Sequence, residues 1–261
     1  MTQTPPRPPL PNPSIHQLQG RTEDELTWFQ RRSLVLAAGM WVAAGGWSAA
    51  QAQSRSNVVE LRGDVLRNGE TLTREHSIAP GDRIETGPGS NLVFAVGNSA
   101  FMVRQNSRVA LEGDTPDAVK VLRIVTGAVA SVWGRGSDRQ IILPTATAGI
   151  RGTGVYAEVF ADQDNRSYFC NCYGTVDLAA GGESVVSQAS YHQAFWGEVA
   201  PRNGRMLTPA GAINHTDDEL EFLAGLVNQR TAWQISGRKG TKDGSGALAP
   251  PYTSGPPGSR D

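Results

Sequence analysis

Between residues 58 and 179 the chain is written in short runs of alternating apolar and polar positions. The first is Val58-Val59-Glu60-Leu61-Arg62-Gly63-Asp64-Val65-Leu66, and further runs occupy 82–86, 91–96, 100–104, 108–111, 119–125, 128–133, 140–143, 154–160, 167–173 and 175–179. Most of them stop at Gly, Pro, Asn or Asp. A period of two, broken by residues that tolerate turn conformations, predicts strands rather than helices. Asn68-Gly69 predicts a tight hairpin, because both residues accept positive φ. So many short strands predict an all-β fold, a twisted β-solenoid or a sandwich-like domain.

The pattern changes at both ends. Thr216 and Glu219 have capping-box spacing, and Leu220, Leu223 and Val227 follow on one helical face. One C-terminal amphipathic helix is therefore expected, with Asp217, Asp218 and Glu219 suiting its dipole. Residues 237–261 are rich in Gly, Pro and Ser and read as a disordered tail. Residues 1–32 read as a disordered leader, with Pro5, Pro6, Pro8, Pro9, Pro11 and Pro13 near its start and Arg31-Arg32 at its end. Residues 33–52 carry no charge and close on Ala50-Gln51-Ala52. Basic pair, apolar run and small-residue site follow the order of a bacterial export signal of the twin-arginine type. A signal cleaved after Ala52 and a retained signal anchor both remain open, since the run is near the shortest membrane span. The expected organisation is thus leader, export segment, a β-domain over 53–180, a loop and helix over 181–236 packed on that domain, and tail.

Charge adds an exclusion. After residue 52 the chain carries 20 basic and 22 acidic residues, a balance that attracts neither nucleic acid nor an anionic membrane surface. Membrane contact is expected only if residues 33–52 are retained. The chain has 261 residues and two cysteines, too few for a disulfide scaffold, so the fold must rest on an apolar core.

An ordered series of turn motifs resembles the FecR-like domain family. It runs through Val65-Leu66-Arg67-Asn68-Gly69, then Gly81-Asp82-Arg83-Ile84-Glu85-Thr86-Gly87, Gly97-Asn98-Ser99, and Thr126-Gly127-Ala128-Val129. It ends with Leu143-Pro144-Thr145-Ala146 leading to Ile150-Arg151-Gly152-Thr153, and then Gly174-Thr175-Val176. The resemblance implies a periplasmic, non-enzymatic β-module that senses, regulates or scaffolds through an envelope protein partner. Fewer than 32 residues precede Arg32, too short a segment for a folded anti-sigma domain, so that part of the family's activity is not expected. The periplasm of a Gram-negative bacterium is the expected compartment; oligomeric state is left open.

The sharpest local chemistry is Cys170-Asn171-Cys172. On a strand, positions two apart face the same side. With His192 and His215, the two thiols make a possible ligand set for zinc or copper. An i,i+2 disulfide or other redox use, a tether to another molecule, and plain buried packing are competing readings. No P-loop, G-x-S-x-G elbow or H-E-x-x-H helix is present, and no catalytic residue is assigned. A carbohydrate-binding module is a third reading, with Trp133, Tyr173, Trp196 and Trp233 as stacking candidates.

Overall fold

A computed structural model describes residues 56–136 and 139–249. The leader, the export segment with Arg31, Arg32, Ala50 and Ala52, and the end of the tail lie outside the described residues. Among the described residues no helix is long and apolar enough to cross a membrane.

The protein is all-β with a C-terminal helical segment. Strands β1 (Val58–Arg62), β2 (Val65–Arg67), β3 (Glu70–Thr71), β4 (Arg83–Thr86), β5 (Asn91–Val96), β6 (Ser99–Val103), β7 (Arg108–Glu112) and β8 (Val121–Trp133) come first. They are followed by β9 (Arg139–Ile142), β10 (Thr147–Ile150), β11 (Gly154–Phe160), β12 (Arg166–Ala180), β13 (Glu183–Ala189), β14 (Tyr191–Arg202) and β15 (Arg205–Ala210). Helices α1 (Asp217–Leu226) and α2 (Ala232–Ser236) precede a two-residue strand, β16 (Ser245–Gly246). The expected hairpin is present: Arg67 pairs with Glu70 across Asn68 and Gly69, both at positive φ.

Two layers share two long strands. One layer runs β1-β5-β6-β8-β11-β12-β14-β15, with β16 on β14. The other runs β3-β2-β4-β7-β8-β9-β10-β12-β13, antiparallel except at β8–β9. Strands β8 and β12 belong to both. Each passes from one layer to the other at a glycine with positive φ, Gly127 at 78° and Gly174 at 101°. The sequence pattern places turns there. In the structure these glycines bend continuous strands, because a residue without Cβ can reverse the pleat locally while the ladder continues on both sides. Ser107 packs close against Gly127 and Thr153 against Gly174, leaving no room for a side chain at either bend.

Alternation sorts the side chains. Leu92, Phe94, Phe101, Val129, Trp133, Val155 and Phe169 point between the layers, where Ile84, Val109, Leu122, Ile141 and Val176 meet them. Val93, Met102, Ala130, Tyr156, Tyr168, Cys170 and Cys172 point to the opposite face of the first layer. Leu220, Leu223, Ala224 and Trp233 of the helical segment cover that second face. The core is therefore in two storeys, and the cysteines lie in the outer one.

The segment 181–236 holds more than a loop and a helix. It contributes β13, β14 and β15, where polar residues on the inner side (Glu183, Ser187) and an exposed apolar one (Val186) blur the alternation that marks the earlier strands. Helix α1 starts at its expected cap: Thr216 Oγ1 accepts from Glu219 N at 3.3 Å and Glu219 accepts from Thr216 N at 2.8 Å. A second capped helix, α2, follows at Thr231. Residues 237–249, read from sequence as the start of a tail, run beside β14.

Candidate metal centre

Three local structures bring the four sulfur and nitrogen donors together. Cys170 and Cys172 lie two apart on β12 and share its outer face, as strand geometry requires. His192 reaches them through a bulge. Tyr191 pairs with Gly246 and Gln193 with Ser245, so two steps on β14 oppose one on β16, and His192 is the extra residue, at φ 42°. The bulge turns Tyr191 and His192 inward in succession, which a regular strand does not do. His215 arrives from the turn just before the Thr216 cap. All four are buried, and one donor atom from each lies within 4.8 Å of the others.

The distances define the arrangement. Cys170 Sγ is 3.9 Å from Cys172 Sγ and 3.7 Å from His192 Nδ1. Cys172 Sγ is 3.4 Å from His215 Nε2, and the two ring nitrogens are 3.0 Å apart. A tetrahedral ion bound at ordinary zinc–sulfur and zinc–nitrogen lengths needs edges of about 3.8 Å for S···S, about 3.6 Å for S···N and about 3.3 Å for N···N. A square-planar ion would draw the sulfurs to about 3.3 Å and each S···N pair to about 3.1 Å. The S···S edge and the two S···N edges lie nearer the tetrahedral set, while the N···N edge is shorter than it by about 0.3 Å. The four residues form a buried cluster that can hold a metal ion.

The outer partners agree with that use. His192 Nε2 donates to Asp217 Oδ1 at 3.0 Å, and His215 Nδ1 donates to the Ile213 carbonyl at 2.6 Å. Each ring thus spends its proton outward and turns a lone pair toward the sulfurs, the arrangement that second-shell acceptors impose on ligating histidines. A cation between the facing nitrogens satisfies both. Asp217 is itself heavily bonded: Lys242 Nζ reaches Oδ1 at 2.9 Å, and Lys239 Nζ and Tyr191 Oη reach Oδ2 at 2.8 and 3.0 Å. Tyr156 stacks on His215 at 4.6 Å and Trp233 on His192 at 5.3 Å between centroids.

These contacts set the charges. Burial pushes the Cys170 thiol up, but the hydrogen bond from Cys172 and the nearby His215 and His192 rings outweigh it and hold Cys170 well below the usual thiol range. Cys172 moves the other way, raised by burial and by its neighbour Cys170. Burial would lower His192, yet the Asp217 hydrogen bond leaves it raised, while burial leaves His215 lowered. Burial opposes ionisation of Asp217, but His192 and Lys242 more than offset it and hold the carboxyl far below the usual range. One thiolate-prone sulfur beside a neutral imidazole is a starting point for metal capture, which needs deprotonated ligands.

The structure brings together all four residues that the sequence singles out. Both thiols are free, not joined in a disulfide. The sequence pattern does not single out Asp217, Tyr191, Lys239 or Lys242; the available signal is that Asp217 stands two residues after His215, in the first turn of a capped helix. Of the stacking candidates, Trp133, Tyr173 and Trp233 are buried and offer no face to a glycan. Trp196 is half-buried, with the Arg166 guanidinium 4.0 Å above its ring.

No family model matches the chain, and no curated protein matches it either. Among solved structures it is similar to a candidate anti-sigma factor from Parabacteroides distasonis, with 10% identity and a TM-score of 0.40, covering 55% of this chain and 64% of the other. Similarity at that level carries no argument about function.

Proposed function

We propose that this protein is an exported, non-enzymatic β-module of the FecR-like kind, which works through contacts with an envelope protein, and whose outer core is fastened by a structural zinc ion on Cys170, Cys172, His192 and His215. The observation that carries the metal is the donor set: four buried S and N atoms within 4.8 Å of one another, with S···S and S···N edges near tetrahedral lengths and both imidazoles keyed outward to Asp217 and Ile213. Two thiols and two imidazoles in that geometry favour zinc over copper(II), which prefers tetragonal sites. Four protein ligands also leave no position for a reacting water, which is the mark of a structural rather than a catalytic site. Bound there, the ion ties β12 and β14 to the start of α1. The sensing, regulatory or scaffolding role rests on the motif resemblance, together with the placement of its glycines Gly69, Gly81, Gly97, Gly127, Gly152 and Gly174 at positive φ.

The test is elemental analysis and native mass of the untagged protein, recovered from its own host without chelators. One zinc per chain and no titratable thiol is expected. A metal-free chain with two reactive thiols would falsify the metal reading. A pull-down from membrane and periplasmic fractions in the same preparation identifies the partner; recovery of the chain alone from both fractions counts against the contact role.

A further inference from the structure

The donors are sealed from solvent. Cys170, Cys172 and His192 have no exposed surface and His215 keeps 2%. A metal entering or leaving must therefore displace something that covers it. Three of the covers are firmly held. Strand β12, which carries both cysteines, is paired on both sides, with β11 and β14. Helix α1 buries Leu220, Leu223 and Ala224, and both carboxylate oxygens of its Glu219 accept from Nη2 of buried Arg104, at 2.8 and 2.9 Å. Helix α2 is anchored by buried Trp233, whose Nε1 donates to Glu221.

Residues 237–249 are held differently. Gly246 is their only buried residue, and Leu248 is only partly buried. Their backbone touches the rest of the fold through a few bonds: Ser190 N to Gly246 O at 2.9 Å, Ala212 N to Lys242 O at 3.2 Å and Ala194 N to Gly244 O at 3.4 Å. Beside the β16 pairing on β14 and the partly buried Leu248, two ammonium groups point inward. Lys242 Nζ touches Asp217 Oδ1 and donates to the carbonyl of His215 itself at 3.3 Å, while Lys239 Nζ reaches Asp217 Oδ2 and Glu221. The segment thus grips the carboxylate that orients one ligand and the backbone of another, yet its one large apolar side chain on the outer core, Leu248, is only partly buried.

We propose that residues 237–249 are a strap that gates metal exchange, with Lys239 and Lys242 as its latch on Asp217. This rests on the reading that the four-residue cluster holds a metal. Segments that bury little apolar surface open at far lower cost than core strands. Lifting the strap removes two cations from Asp217, one donor from His215 and the β16 pairing opposite the His192 bulge, while β12 keeps its pairing with β11 and β14. It therefore loosens the ligands' support while the β11–β12–β14 ladders stay paired. Closed, it keeps chelators and competing thiols from the ion.

The test measures zinc release from the loaded, full chain to an excess of the chromogenic chelator 4-(2-pyridylazo)resorcinol. Gly244→Ala is the first variant. Gly244 has φ 82°, and an added Cβ would run into the Ala210 carbonyl, so the substitution undocks the strap without touching a ligand or Asp217. Release about tenfold faster than from the unsubstituted chain is expected, given the cost of a left-handed residue with a side chain. An unchanged rate overturns the gate. If Gly244→Ala fails to fold, hydrogen exchange on the unsubstituted zinc-loaded chain decides. Exchange of 237–249 ahead of 166–180 and 191–202, at a rate that accounts for zinc release, supports the strap. Simultaneous exchange of all three segments overturns it, because the ion would then leave only when the sheet opens. Cobalt(II) uptake separates the two levels: a chain that shows no thiolate charge-transfer absorption with cobalt overturns the metal reading itself, whereas a cobalt-loaded chain with an unmoved release rate overturns only the gate.

Discussion

Replacing Asp217 by Asn isolates the second shell. The carboxylate has 7% of its side-chain surface exposed and receives four donors, two on each oxygen. An amide has one acceptor oxygen. If that oxygen stays on His192 and Lys242, the new NH2 faces the Tyr191 hydroxyl and the Lys239 ammonium. If it turns the other way, His192 Nε2 loses its acceptor and Lys242 faces a donor. Either way the negative charge that favours an electron-rich imidazole is gone. Loss of a second-shell partner typically weakens metal binding 10–100-fold, or about 1.4–2.7 kcal/mol. The doubly unfavourable geometry places this case in the upper half, at about 30–100-fold. The assay is zinc competition against a chelator of known affinity, at a temperature where circular dichroism shows the variant folded. Glu219→Gln serves as the contrast. It strips a buried charge partner from Arg104 and is expected to cost about 3–5 kcal/mol of stability, while leaving the zinc affinity of the folded chain alone. Asp217→Asn binding zinc within about threefold of the unsubstituted chain would refute the keyed-imidazole reasoning, whatever it does to stability.

Cys172→Ser should abolish retained zinc, because a buried hydroxyl replaces a thiolate on the strand face that supplies both sulfurs; elemental analysis after dialysis against chelator checks it, and full retention of zinc would remove Cys172 from the ligand set. Glu198 gives an acid-side prediction independent of the metal. Burial alone would raise its carboxyl, but hydrogen bonds from Arg166 and Thr208 outweigh that and hold it below 4.5. Its folded value is depressed, so its contribution is present above 4.5 and disappears as pH falls through the folded value. The stability gap between the unsubstituted chain and Glu198→Gln, read by urea titration, should therefore be largest near neutrality and close in acid; a pH-independent gap would contradict it.

Much of this was legible in sequence. Period-two alternation located most strands up to residue 180, and the Thr216–Glu219 box fixed the start of α1. The shared face of Cys170 and Cys172 follows from strand geometry alone. What could not be read was whether a glycine turns the chain or bends it. Gly127 and Gly174 have the local signature of turns, and only pairing partners distant in sequence make β8 and β12 continuous. His192 was nameable but not placeable, since its orientation depends on a bulge opposite Ser245 and Gly246. The same holds for 237–249: a Gly-rich, polar segment reads as a tail, and its position comes from the β16 pairing on β14 and from two lysines meeting the carboxylate of Asp217.

The sharing of β8 and β12 between layers also governs registry. A one-residue slip of β12 against β11 and β14 would turn Phe169 and Asn171 toward the helices and push both cysteines between the layers. In an ordinary sandwich one sheet could make that error alone. Here the same strand continues past Gly174 into pairing with β10 and β13, so the slip would have to break both ladders at once. The alignment of the two sulfurs with the histidines is thus proofread twice, once by each layer. The two layers are also expected to melt as a single cooperative unit, since neither can lose its central strands without unravelling the other.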